Sequence, residues 1–187
     1  IINGAMQVNQ RGSQSFAHDG TQSGYHLDRF NFNISNTDEY DCTVSQDSSV
    51  PDGQGFGKSL KVLTGTAESA VGADERYEIQ CKLEGQNLQH FAYGSSAAKT
   101  ITLSFWVKCS IAGTYGFSIY RNESAGSRII NKPYTISSAN TWEKKVITIS
   151  GDTVRSIVND SSTNSAWRMI WALSGGSNWT SATHSTW

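Results

Sequence analysis

The stretch "NTDEYD" places Asp38, Glu39 and Asp41 almost side by side, a density of hard oxygen donors that suits Ca²⁺. The twelve-residue register and bidentate last ligand of an EF-hand are missing, so the trio is a weak metal set whose plain reading is a solvated turn. "DGQGFGKS" ends in Gly57-Lys58-Ser59 like a phosphate-binding loop, but Asp52 stands where that motif needs glycine, and a strand pattern follows instead of a helix. It is a turn. His18, His26, His90 and His184 are scattered, with no metal-ligand spacing among them. No pair of carboxyls suited to cleaving a sugar bond and no Ser-His-Asp set can be nominated. The expectation is a protein that is not an enzyme, with no catalytic residue and no cofactor beyond a structural Ca²⁺ at the acidic trio.

Aromatic residues are the stronger chemical signal. Six Trp and seven Tyr occur in a chain with only 17% charged residues. Exposed rings stack on the C–H faces of sugars, while hydroxyls and amides beside them pair with sugar hydroxyls. In "TITLSFWVKCS" the residues Ile101, Leu103, Phe105, Val107 and Cys109 share one side, and Thr102, Ser104, Trp106 and Lys108 the other. A tryptophan on a polar strand face calls for something to cover it. Tyr120 alternates away from Tyr115, Phe117 and Ile119 in the same sense. Trp106, Tyr120, Thr102 and Lys108 are therefore the candidate face, for a glycan or for an interface with a loop, a terminal segment or a neighbouring subunit. Trp142, Trp167 and Trp171 read as core or corner packing.

The elements that must position these residues are strands. "DRFNFNIS", "EYDCTVSQ", "KSLKVLTG", "ERYEIQCKLEG", "TITLSFWVKCS", "GTYGFSIYRN", "RIINKPYTIS", "TWEKKVITIS" and "AWRMIWALSGG" are short, alternating and bounded by Gly, Asn, Ser and Asp turns. In "ERYEIQCKLEG", Tyr77, Ile79, Cys81 and Leu83 form the apolar face, and the opposite face reads as solvated. Pro133 marks an edge strand or a bulge. "GTAESAVGAD" has room for one helical turn and no longer helix is visible. The fold class is all-β, an antiparallel two-sheet β-sandwich of the jelly-roll kind.

At 187 residues a single domain is expected, with residues 1–25 an N-terminal arm and first strand, 26–173 the sandwich body and 174–187 a C-terminal segment. Folding buries about 70% of the unfolded surface at this size, so neither disulfides nor metal are needed for a core. The formal net charge is -1 without a basic run, which excludes a nucleic-acid partner. No apolar run has the ~20 residues of a membrane span, so membrane insertion is not expected. Three cysteines cannot all pair, and Cys81 and Cys109 sit among apolar neighbours as free thiols, which suits folding in a reducing cytoplasm. The opening "IINGAMQVNQRG", with no initiator methionine, and the final "GGSNWTSATHSTW" read as parts of a longer or processed chain. Trp179 and Trp187 in that last segment must lie across this chain or another one. The sequons at Asn33, Asn122, Asn159 and Asn178 carry little weight in so Ser- and Thr-rich a chain.

The segments "EGQN", "TLSFWVK", "GTYG" and "NTWEKK", with "NGAMQVNQRG" and "DGQGFGKSLKV", resemble a domain that recurs in tail-fibre and other virion proteins of tailed phages, especially marine ones. That domain is similar in turn to the jelly-roll carbohydrate-binding modules attached to glycoside hydrolases. The resemblance spans nearly the whole chain and offers no defined ligand residues to carry over. It implies a non-catalytic structural domain of a tail fibre, spike or capsid-decorating protein. Such a domain is assembled in the host cytoplasm and exposed on the particle exterior. Its implied partners are other virion proteins, further copies of itself in a homo-oligomer, and host polysaccharide. The alternative is a dedicated carbohydrate-binding module for polysaccharide adhesion. The resembling domains run on past this terminus into a further strand, so the expectation is an open sheet edge here.

Overall fold

The computed structural model describes residues 1–16, 20–121, 126–161, 167–180 and 187. Its strands are β1 (Gln14–Phe16), β2 (Gly20–Leu27), β3 (Phe30–Thr37), β4 (Cys42–Asp47), β5 (Ser59–Thr64), β6 (Arg76–Leu83), β7 (Ile101–Val107), β8 (Gly113–Arg121), β9 (Arg128–Ile136), β10 (Glu143–Ile149) and β11 (Trp167–Gly175). The nine expected strands are β3 to β11. β1 and most of β2 come from the segment read as an N-terminal arm and first strand. Helix is confined, among the described residues, to two short 3₁₀ turns, Gly85–Asn87 and Gln89–Phe91. "GTAESAVGAD" forms turns and bends.

The chain divides into two compact units, Ile1–Cys81 with Ala172–Ser181, and Lys82–Trp171 with Ala182–Trp187. In the first, β1-β4-β5 form one sheet and β2-β3-β6 belong to another. Phe16, Phe32, Ile34, Tyr40, Cys42, Val44 and Tyr77 make its core, closed by Leu60, Val62 and Ile79. These residues come alternately from the two sheets, which therefore face each other across a shared apolar layer.

In the second unit β7 pairs with β10, while β11, β8 and β9 are consecutive strands of the other sheet. Phe105 of β7 meets Tyr134 of β9 at 5.2 Å and Trp171 of β11 at 5.9 Å, and Trp171 reaches Phe117 of β8 at 5.2 Å. Trp167 is buried and stacks on Phe91 at 5.2 Å. Trp167 and Trp171 are core, as expected.

Successive strands cross from sheet to sheet (β3 to β4, β5 to β6, β7 to β8, β9 to β10, β10 to β11), and every pairing with a resolved register is antiparallel. The protein is an all-β antiparallel two-sheet sandwich of the jelly-roll class. Pro133 lies in β9, whose one sheet partner is β8, the edge position that proline requires.

Cys42, Cys81 and Cys109 are free, the first two buried. The C-terminal tryptophans lie on this chain's own surface. Trp179 Nε1 donates to the Asp74 carbonyl at 2.9 Å, and Trp187 Nε1 donates to the Ser150 carbonyl at 2.6 Å with its ring edge-on to Tyr93. His18, His184 and the sequon at Asn122 lie outside the described residues.

Candidate functional site

The first unit's polar sheet face is built from β2, β3 and β6, and the side chains of β3 and β6 alternate strictly. Phe32 and Ile34 of β3 enter the core, so Asn31, Asn33 and Ser35 point the other way. On β6, Tyr77 enters the core and Glu78 and Gln80 oppose it. The register sets these residues in cross-strand rows: Tyr25, Asn31 and Gln80 in one, Ser23, Asn33 and Glu78 in the next, and Ser35 with Arg76 in a third.

This face is not the solvated surface that "ERYEIQCKLEG" suggests. Asn31, Asn33, Glu78 and Gln80 are only 5%, 8%, 7% and 4% exposed. Burying four such groups is costly unless they are paired. Part of the cost is met within the rows: Asn33 Nδ2 and Gln80 Nε2 both donate to Glu78 Oε1, the former at 3.1 Å, and Ser23 Oγ donates to Asn31 Oδ1 at 3.1 Å. Asn31 Nδ2, Asn33 Oδ1, Glu78 Oε2 and Gln80 Oε1 are left without partners among the described residues, and none of the four is sealed from solvent. The result is a recessed floor with spare amide N–H donors and three free acceptors, held rigid by its own hydrogen bonds.

Two rings flank the floor. Tyr25 is 39% exposed at the end of the first row, and Trp179 is 51% exposed beside the third. The Arg76 guanidinium sits 4.3 Å from the Trp179 ring centre, and Asn178 donates to Asp74 at 2.7 Å, which fixes the turn carrying that indole. Amides and a carboxylate in a recess between exposed rings are the ingredients of a site for a polar, ring-shaped ligand.

Sequence reasoning missed this face. The signal was present in "FNFNIS": asparagine is depleted in strands, and two at i and i+2 on one side of a strand need a reason.

The structure divides the expected face. Thr102, Trp106 and Lys108 are on the outer side of β7 and its continuation, with Trp106 opposite Lys144 of β10. Tyr120 is on β8, in the facing sheet, and Ile119 and Arg121 beside it point inward. Since the inner sides of β7 and β8 meet through Phe105, Trp171 and Phe117, Trp106 and Tyr120 look out from opposite sides of the unit. Trp106 is half-buried and has no ring or cation stacked on it among the described residues. Lys108 covers Trp142, 5.3 Å from its ring centre. Trp142 is thus corner packing.

The acidic trio also comes apart. Asp41 accepts from the Thr66 amide at 2.7 Å and its hydroxyl at 2.9 Å, and Glu39 accepts from the Ser69 amide at 3.2 Å. Hydrogen bonds from the Ser69 hydroxyl and then its amide hold the Glu39 carboxyl below its ordinary range. Asp38 instead joins Glu68 and Glu75, with one ligand atom of each within 4.8 Å of the others. The Tyr77 hydroxyl stands 3.2 Å from Glu68, 3.1 Å from Glu75 and 3.2 Å from Thr37. Residues 30 and more apart in sequence cannot be associated by spacing alone.

Fold and face together define the class: a β-sandwich with a recessed polar sheet face flanked by aromatic rings. No family model and no curated protein matches the chain. Among solved structures it is similar to the enzymatically active domain of tailspike protein 4 of bacteriophage CBA120, at 13% identity and a TM-score of 0.48 over 94% of this chain and 19% of that one. It is also similar to the family 11 carbohydrate-binding module of Clostridium thermocellum, solved with a β-1,3-1,4-mixed-linked tetrasaccharide, at 13% identity and a TM-score of 0.40 over 88% of each chain. The chain thus spans about a fifth of the tailspike chain's length.

Proposed function

We propose that the protein is a non-catalytic, glycan-contacting sandwich domain of a phage virion, without a resident cofactor. The observation that carries the glycan part is the recessed floor of Asn31, Asn33, Glu78 and Gln80 between the open rings of Tyr25 and Trp179. A pyranose presents hydroxyls that both donate and accept around its rim, and C–H groups on its faces. The free amide donors and the three acceptors suit the rim, and the two rings suit the faces.

Among the described residues the floor brings one carboxylate, Glu78, and hydrolysis by the usual route needs two on opposite sides of the bond. That supports binding without turnover. The virion placement, exterior exposure, and partners among other virion proteins and further copies of this chain rest on the resemblance of the sequence segments to phage tail-fibre domains.

The test is tryptophan fluorescence during titration with host-surface polysaccharide, since Trp179 borders the floor. A saturable change is expected in the wild type, strongly weakened in an Asn33→Ala, Gln80→Ala double variant and retained in Trp106→Phe. Absence of saturable binding to any surface polysaccharide, or its loss on substituting Trp106, overturns the reading.

A further inference from the structure

In the second unit, Lys82 of β6 and Arg168 of the neighbouring strand β11 are two cations on the same sheet with no carboxylate partner among the described residues. Lys82 continues the polar side of β6, two residues after Gln80. Arg168 lies on β11 between the buried Trp167 and Met169, so it points away from the core. β8 is the next strand, and its outward Tyr120 ring lies 5.4 Å from the Arg168 guanidinium carbon. Both cations are half-buried.

Among the described residues neither has a carboxylate partner. Arg168 Nε is withdrawn from solvent and has no hydrogen-bond acceptor among the described residues. The nearest acid along β6, Glu84, accepts from Gln86 at 2.9 Å. Burial, and then the Arg168 charge, hold the Lys82 ammonium below its ordinary pKa. The contrast lies within the same unit: Arg121 and Arg128 are both neutralised by Asp152. A half-buried pair of like charges opposes folding, and such arrangements are typical of binding sites.

We propose that Lys82 and Arg168, with the Tyr120 ring beside them, bind the carboxylate of a uronic-acid residue, so that the glycan recognised is an acidic polysaccharide. This inference rests on the glycan reading above and names the class of sugar. A planar guanidinium takes a carboxylate through two parallel hydrogen bonds, and the ammonium adds a point charge. The carboxylate of a uronic acid projects from the sugar ring, so a C–H face of that ring can rest on Tyr120. The Tyr120 hydroxyl, 2.7 Å from Ser127 Oγ, holds its ring in place. Beside it, Ser118 donates to Asn131 at 2.6 Å on the same side of β8 and β9. A sulfate ester presents the same oxyanion chemistry and is separated from a carboxylate by the test.

The full chain is titrated calorimetrically with polygalacturonate, dextran sulfate and neutral mixed-linked β-glucan, as wild type, Arg168→Gln and Lys82→Gln. Thermal melts report folding of each variant, and the two variants test the site independently. The expected result is preference for polygalacturonate over the neutral glucan by about tenfold or more. Each variant should lose about tenfold toward polygalacturonate, with neutral-glucan binding unchanged. Tight binding of dextran sulfate but not polygalacturonate overturns the uronic assignment. Equal binding of acidic and neutral glycans, untouched by either variant, overturns the inference and leaves the glycan reading standing. Binding of no glycan at all overturns both.

Discussion

The Arg121 guanidinium and the Asp152 carboxylate meet at 2.7 Å with both side chains wholly withdrawn from solvent. Arg128 approaches the same carboxylate at 2.8 Å, and Asp152 also accepts from the Val154 amide at 2.9 Å. Arg121 donates in turn to the carbonyls of Arg155 and Ser156, at 3.2 and 2.8 Å. The loop after β10 is thereby fastened to β8 and β9. The fit is close: at Gly94, whose φ is +82°, a Cβ would lie 2.2 Å from the Ser156 nitrogen. Asp152→Asn should cost about 3–5 kcal/mol, because the buried Arg121 and half-buried Arg128 guanidiniums both lose the Asp152 charge. Urea denaturation measures it.

His26 sets an acid limit. It is buried edge-on against Phe16 at 4.6 Å, and neither ring nitrogen has a partner among the described residues. Burial, with a smaller contribution from Arg11, lowers its pKa from 6.5 to about 4. The unfolded chain therefore takes up a proton before the folded one does. The stability this neutral ring carries is complete above pH 6.5 and lost as the pH falls toward 4, by about 3 kcal/mol. Denaturation midpoints from pH 4 to 8 should show that slope, and His26→Phe should remove it relative to wild type.

Tyr77→Phe removes the hydroxyl that stands between Glu68 and Glu75. Two closely spaced carboxylates then lose a shared donor, and a loss of about 1–3 kcal/mol is expected in chemical denaturation.

On the polar floor, Tyr25→Ala should weaken polysaccharide binding with little change in stability, since the ring is well exposed. Trp179→Ala should weaken binding and also cost about 0.5–1 kcal/mol through loss of the Arg76 contact at 4.3 Å. Parallel titrations and melts distinguish the two.

Nine strands could be read from the sequence because alternation of apolar residues records which side of a strand is core. The same rule failed for β2, where register shifts between Gly20 and Gln22 and between Tyr25 and Leu27 break the period of two. Alternation also says nothing of what lies over the second face. Glu78 and Gln80 read as solvated for that reason, although the fold recesses them. Nor does it say which sheet a strand joins: Trp106 and Tyr120 both alternate outward, but β7 and β8 lie in different sheets, so their outward sides diverge. The partners of Asp152 lie 24 and 31 positions away, beyond any local pattern. Contacts set by the return of the chain, rather than by its local period, hold the candidate site together and were the part that could not be read.

The three unpaired sulfurs make the protein its own stopwatch. Cys42 and Cys81 lie within the first unit, and burial pushes both thiols up to about 11, so in the closed state neither is an effective nucleophile at neutral pH. A thiol-reactive dye can label them only when that unit opens. The half-buried Cys109 of the second unit, 3.1 Å from the Tyr115 hydroxyl, supplies a separate channel. Following the three alkylation rates by mass spectrometry would time the opening of each unit separately, with no label engineered in.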